Sequence, residues 1–296
     1  MEDNLSLRYI CQDYNLRIYA ALTKNVLQEI TSIHNTTPHA TIAFGRTLNA
    51  ALLLAASSLK PHSNDTLSIH ISCSGPLKEI VVQVDGKGNV RGYVGNPNVD
   101  LILESEMLNI SKALGAGVIT VTRDLGLREP YKSVSPIIYG DIAKDIAYYL
   151  LESEQIPSAL ILAVNCNKEG AITRSGGILI QTFPNTPSHV IELIEHRLQS
   201  GFSLDKNLEE EKLIKAIIEE LIGKEIKEIG SLPLQHRCRC TKELLATILE
   251  SVETQELEDM IQKDHGAHIT CVFCKKEYWF TQEELQKIVL KKEKVH

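Results

Sequence analysis

Two tight cysteine pairs near the C-terminal end limit what this chain can fold into more than any other feature. "HRCRC" sets Cys238 and Cys240 one residue apart, and "CVFC" sets Cys271 and Cys274 two apart, with 30 residues between the pairs. Both pairs fall in the last 64 residues, from Pro233. A segment of that size has a limited core and often needs a staple. Four sulfurs from two close pairs suit a tetrahedral ion, Zn²⁺ above all, with Zn–S bonds of roughly 2.3 Å. The intervening "TKELLATILESVETQELEDMIQKDHGAHIT" reads as one or two short helices, long enough to bring the chain back. Binding requires four thiolates and, by analogy with zinc-finger peptides, would supply on the order of 10–16 kcal/mol of apparent stabilisation.

The residues alone leave several uses of this cluster open. His236, His265 and His268 flank the pairs and could replace one sulfur. A closed Cys₄ site can be a purely structural zinc ribbon. It can also be a switch, because zinc keeps each sulfur as the thiolate that oxidants attack. Without the metal, four cysteines allow three disulfide connectivities. Pairing within each fragment closes the smallest loops, and a Cys-x-Cys bridge would be strained and therefore reducible. Cys11, Cys73 and Cys166 stand alone; the latter two lie in strand-like runs and read as small buried hydrophobes.

The chain has 296 residues, enough for one large domain or two to three smaller ones. Residues 1–182 read as a mixed α+β domain. "TTPHATIAFGRTLNAALLLAASSL" predicts a buried helix with Thr37 as N-cap and Pro38 at the first helical position. "TLSIHISCSG", "EIVVQVDGKGNVRGYVGN" and "GVITVTRDLG" predict strands, with "DGKGN" as a hairpin turn; it lacks the spacing and terminal Lys-Ser/Thr of a phosphate loop. "SALILAVNCNKEGAITRSGGILIQTF" predicts a hairpin closed around Lys168, Glu169 and Gly170, and helical spacing runs from Ile142 to Leu151. Hairpins interspersed with helices point to α+β, not to a purely parallel wound sheet.

Residues 183–232 read as an amphipathic helical linker. Leu213, Ile217 and Leu221 recur at steps of four beside Ile214, Ile218 and Ile222, giving a broad apolar stripe that Gly223 and Gly230 weaken or end. Residues 233–296 form the third region, the Cys₄ domain. The formal charge of −7 argues against a broad nucleic-acid surface. "EDNLSLRYIC" after Met1 lacks a basic n-region and an apolar h-region, and "ALLLAA" is short for a membrane span, so a cytoplasmic location is expected. Thiols there rest reduced.

Cys-x-Cys, a spacer near thirty residues, then Cys-x-x-Cys followed by "KKEYWF" resembles the redox-regulated 33 kDa heat-shock chaperone family. "RGYVGNP", "GAGVITVTRDLG", "AYYLLESEQIPSA" and "GGILIQTFP" are similar to further stretches of that family, so the resemblance spans essentially the whole chain. Departures are small: Thr241 stands where Ser is expected in "RCRCTKE", and "PYKSVSP" lacks a Gly after the Tyr. The resemblance implies an ATP-independent holdase rather than an enzyme, inactive while reduced and carrying one Zn²⁺ per chain on Cys238, Cys240, Cys271 and Cys274. It implies that oxidative stress, often with unfolding conditions, releases zinc and forms Cys238–Cys240 and Cys271–Cys274 disulfides. The terminal domain and linker then loosen, unfolded clients bind and are kept from aggregating, and dimers form. The stripe of Leu213, Ile214, Ile217, Ile218 and Leu221 is the candidate client surface, since a sticky patch must be covered at rest.

Two alternatives stand beside it. A thiol–disulfide oxidoreductase would use Cys271 and Cys274, but lacks a thioredoxin-like βαβ context. A zinc-ribbon nucleic-acid module would use the basic cluster of Arg237, Arg239, Lys275 and Lys276, against the acidic whole.

Overall fold

The computed structural model describes residues 4–99, 110–167, 171–184 and 186–293. It divides into two compact units, Met1–His236 and Arg237–His296. The first unit is α+β, as the pattern of hairpins and helices predicts.

Its elements run β1 (Leu5–Cys11), β2 (Leu16–Leu22), α1 (Lys24–His34), α2 (Pro38–Ser58), β3 (Thr66–Cys73), β4 (Glu79–Asp85) and β5 (Asn89–Val94). Then come α3 (Ile110–Leu114), β6 (Gly117–Asp124), β7 (Tyr131–Pro136), α4 (Ile142–Glu154), β8 (Ser158–Cys166) and β9 (Ile172–Thr182). The last part holds α5 (Ser188–Gln199), α6 (Leu204–Glu209), α7 (Ile214–Ile222), β10 (Lys227–Pro233) and β11 (Gln235–His236). The strands form two sheets, ordered β10-β1-β2-β9-β8 and β11-β5-β4-β3-β6-β7. All pairings are antiparallel except β11 with β5.

Helix α2 contacts strands of both sheets, and the period-two alternation of those strands decides what it meets. Leu67, Ile69 and Ile71 of β3 point to the α2 side of the second sheet, while Tyr19 and Ala21 of β2 and Leu179 of β9 do so from the first. The other face of the first sheet carries Ile18, Ala20, Ile178 and Ile180 into a second core, roofed by α5, α6 and α7. By length and composition alone the 21-residue α2 could cross a membrane; here 83% of its most apolar window is buried inside the protein, as in a core helix.

One polar cluster fixes α2 on the first sheet. The Asn49 amide donates to Gly176 O at 3.0 Å, Ser175 Oγ at 3.2 Å and Ala163 O at 3.3 Å, and its oxygen accepts from Thr23 Oγ1 at 2.6 Å. Both its nitrogen and its oxygen have partners, so the buried amide adds specificity and offsets its desolvation.

Several local expectations need adjustment. Thr37 does precede α2, but its hydroxyl makes no helix cap; it donates to Val99 O at 2.8 Å instead. "DGKGN" is a hairpin turn: Asp85 Oδ1 accepts from the backbone of Lys87 (2.9 Å) and Asn89 (3.0 Å), and Gly88 takes a left-handed φ of 82°. The β8–β9 hairpin is present, although its turn at Lys168, Glu169 and Gly170 lies outside the described residues.

The largest difference concerns residues 183–232. Three helices pack on the first sheet, but the stretch ends as a strand: α7 stops at Gly223, left-handed at φ 76°, and Lys227–Pro233 pairs antiparallel with β1. "KEIKEIG" has helical spacing locally, but the open edge of β1 captures its second half. Ile229 is the extra residue at the irregularity opposite Arg8/Tyr9, and it is exposed.

Asn49→Ala should leave the Ser175 hydroxyl and the Ala163 and Gly176 carbonyls short of partners. Loss of about 2–3 kcal/mol is expected, read as a lowered urea midpoint at unchanged slope.

Candidate metal centre

The second unit contains α8 (Lys242–Leu249), α9 (Thr254–Gln262), β12 (Gly266–Thr270), β13 (Glu277–Thr281) and α10 (Gln282–Glu293). Strands β12 and β13 form an antiparallel hairpin from Gly266↔Thr281 to Thr270↔Glu277. Its core is small: Leu249, Leu257, Tyr278, Phe280, Leu285 and Ile288, with Cys271 among them.

The hairpin's tip carries one cysteine pair. Cys271 N donates to Lys276 O at 2.9 Å, and Lys275 N donates back to Cys271 O at 2.9 Å. Lys275 takes a left-handed φ of 58°, folding the tip so that Cys271 and Cys274 present their sulfurs together. The other pair enters just before α8. Thr241 caps that helix, its Oγ1 accepting from Leu244 N at 3.2 Å, so the departure from the family's Ser retains the capping hydroxyl.

The sulfurs of Cys238, Cys240, Cys271 and Cys274 all lie within 4.8 Å of one another. Cys238 Sγ is 3.7 Å from Cys271 Sγ, and Cys240 Sγ is 3.3 Å from Cys274 Sγ. All four are free cysteines. A regular tetrahedron with bonds of ~2.3 Å has sulfur–sulfur edges of about 3.8 Å, so this donor set fits a Zn²⁺-like ion. The flanking histidines engage other groups. His236 Nδ1 is 3.0 Å from Glu29 Oε1 in the first unit, His265 Nδ1 is 3.0 Å from Gln282 Nε2, and His268 stacks on Trp279 at 3.9 Å.

Burial pushes the Cys240 and Cys274 thiols up. Metal-free, these two sulfurs therefore favour the neutral thiol, and a bound cation would favour their thiolates. Tyr278 supports the set from β13: its hydroxyl donates to Cys240 O at 2.9 Å and to Cys240 Sγ at 3.2 Å. The Cys240 hydrogen bond, followed by burial, pushes the Tyr278 phenol up, which keeps it a donor. Sequence reasoning missed this residue. Its only signal was an aromatic four positions after Cys274.

The apolar stripe divides. Ile214, Ile217, Ile218 and Leu221 are buried in the core under the first sheet, whereas Leu213 precedes α7 and is 69% exposed.

A family model described as Hsp33 protein matches residues 4–281. The chain belongs to the Hsp33 family. A 33 kDa chaperonin of Latilactobacillus sakei is 36% identical over 98% of this chain and 99% of its own length. One from a Geobacillus species is 38% identical over 97% of both chains. The crystal structure of the Thermotoga maritima 33 kDa chaperonin, a heat shock protein 33 homologue, matches with a TM-score of 0.88 at 29% identity, covering 99% of this chain and all of that one. The family and these relatives make the chain a chaperone of the Hsp33 type.

Tyr278→Phe keeps the ring in the core and removes the donor to Cys240. About tenfold faster metal loss to a chromogenic chelator is expected, with the far-UV spectrum of the loaded protein unchanged.

Proposed function

We propose that the chain is a redox-regulated, ATP-independent holdase of the cytoplasm, resting with one Zn²⁺ on Cys238, Cys240, Cys271 and Cys274. The observation that carries this reading is the four-sulfur cluster inside a unit whose own core is small. Bound zinc holds the sulfurs as thiolates and ties the β12–β13 tip to the segment before α8. A peroxide removes two electrons from each sulfur pair: one thiolate attacks an oxygen to give a sulfenic acid, and its neighbour displaces water to close the disulfide. Two peroxides accept four electrons and, with four protons, leave as four waters.

The pairs proposed are Cys238–Cys240 and Cys271–Cys274, as the family resemblance implies. Sulfurs joined in this way no longer act as thiolate ligands, so ion and staple leave together. Loss of the staple then costs the second unit a large share of its stability. The segment that precedes it loosens, and Ile214, Ile217, Ile218 and Leu221 of α7 become the apolar surface that holds unfolded clients, with Leu213 at its rim. Exposed in this form, the same surface supports dimerisation. The burial of Ile214, Ile217, Ile218 and Leu221 at rest accords with a covered patch.

Zinc-loaded protein should leave aggregation of a heat-unfolded client unchanged, and peroxide-treated protein should suppress it. Suppression should rise in step with zinc release of about one ion per chain and with modification of the four thiols. Equal protection before and after peroxide would remove the switch while leaving the metal site intact.

Ile218→Asn, tested after oxidation, should reduce client retention severalfold if α7 is the client surface. Unchanged retention would move the surface elsewhere.

A further inference from the structure

Between α7 and the first residue of the metal unit, the chain forms a strap across the edges of two sheets. Ile226 is 4% exposed and seated in the core under α7; Leu234 is 5% exposed and seated in the α2 core. Between these two apolar pegs, β10 lies along β1 with its residues exposed or only half-buried. The strap then changes sheets. Gln235 N donates to Gly88 O at 3.1 Å, Gln235 Nε2 to Asn89 Oδ1 at 2.8 Å, and β11 pairs parallel with β5. Arg237 follows directly, opening the second unit.

One face of the edge strand beside β10 is apolar, while Ser6 and Arg8 lie on the other. Leu7, Tyr9 and Cys11 of β1 are buried in the helix-covered core, and Leu5 packs against them. The present occupant, "KEIGSLP", buries little of its own side chains. Its hold on β1 is therefore a main-chain ladder between two pegs. A ladder of this kind accepts almost any extended sequence, because every non-proline residue carries the same donor and acceptor.

We propose that β10 is the resting occupant of a client site: once the strap is released, an extended segment of an unfolded polypeptide replaces it on β1 by strand addition. This rests on the redox reading above for its trigger and names how the client is recognised. Replacement satisfies the β1 edge that strap release leaves open. It also accounts for tolerance of many clients, since backbone pairing supplies affinity without a required sequence. Apolar client side chains pointing to the helix side would meet Leu7 and Tyr9.

The test is hydrogen exchange read by mass spectrometry on the full chain, with reduced and carboxymethylated α-lactalbumin as a permanently unfolded probe. After peroxide treatment, amides of Leu5–Cys11 and Lys227–Pro233 should both lose protection. Adding the probe should restore the first set and leave the second exchanging freely. A probe held while β10 stays protected overturns the inference, as does a probe that leaves β1 exchange unchanged; either leaves the redox reading standing.

A second arm needs no oxidant. Successive N–H groups of a strand point to opposite sides, so Ser231→Pro with Leu232→Pro removes at least one donor to β1. In the metal-loaded, reduced state this variant should show about fivefold faster exchange in β1, and the probe should reverse it. Reversal here with an inert peroxide-treated wild type would keep strand replacement and discard the redox trigger. Faster β1 exchange that the probe fails to slow would overturn strand replacement.

Discussion

Four thiols gathered within a few ångströms, two of them with pKa values raised by burial, are a poor arrangement for a protein without a cation. As neutral groups they are weak hydrogen-bonding partners filling space that apolar side chains would fill better. As thiolates they repel one another. A bound divalent ion would resolve both problems and make the cluster a strong cross-link of its unit. Little else in residues 237–296 has comparable strength, because the apolar core there is a handful of side chains around one hairpin. The first unit is built differently, with two extensive cores on either face of a five-stranded sheet and a helix sandwiched between sheets. On the proposed reading the two units depend on different things: one on buried area, the other on coordination.

That division suits a switch, because it confines the chemical sensitivity to one place. Zinc has no redox chemistry of its own, so any response to oxidant lies in the sulfurs. On the proposed reading, Tyr278 would tune that response from outside the coordination sphere. Its hydroxyl orients and stabilises Cys240 without contributing a ligand, the usual role of groups behind a metal shell.

The gathering of four cysteines was legible in the sequence because cysteine spacing is a local signal: residues two or three apart must end near one another. The hairpins of the first unit were legible for the same reason, as turn residues at Asp85–Asn89 close strands whose apolar residues alternate. Strand β10 was not. Lys227–Pro233 continues the Glu/Lys and Ile pattern of the helix before it, and the partner that makes it a strand is β1, more than two hundred residues earlier in the chain. Tyr278 was hidden in a related way, since its aromatic ring explains its position in the core and nothing local shows where the hydroxyl points. The Thr37 hydroxyl departs from its expected cap because Val99 O, brought close by the fold, competes for it. What sequence left out is thus mostly long-range pairing.

On the proposed reading, this same long-range pairing explains how a change at sulfur can act on a distant core. The strap makes few side-chain contacts along its length and is fixed at its ends, so its stability is concentrated in Ile226, Leu234 and the turn to β11. A segment held that way is released cooperatively: withdrawing one peg leaves a ladder at a sheet edge, where each hydrogen bond is worth only about 1 kcal/mol against water. Cys238 lies four residues beyond Leu234, so the proposed metal site and the end of the strap are neighbours along the chain. The sheet edge, not a flexible hinge, is then where loss of the metal would become exposure of apolar protein.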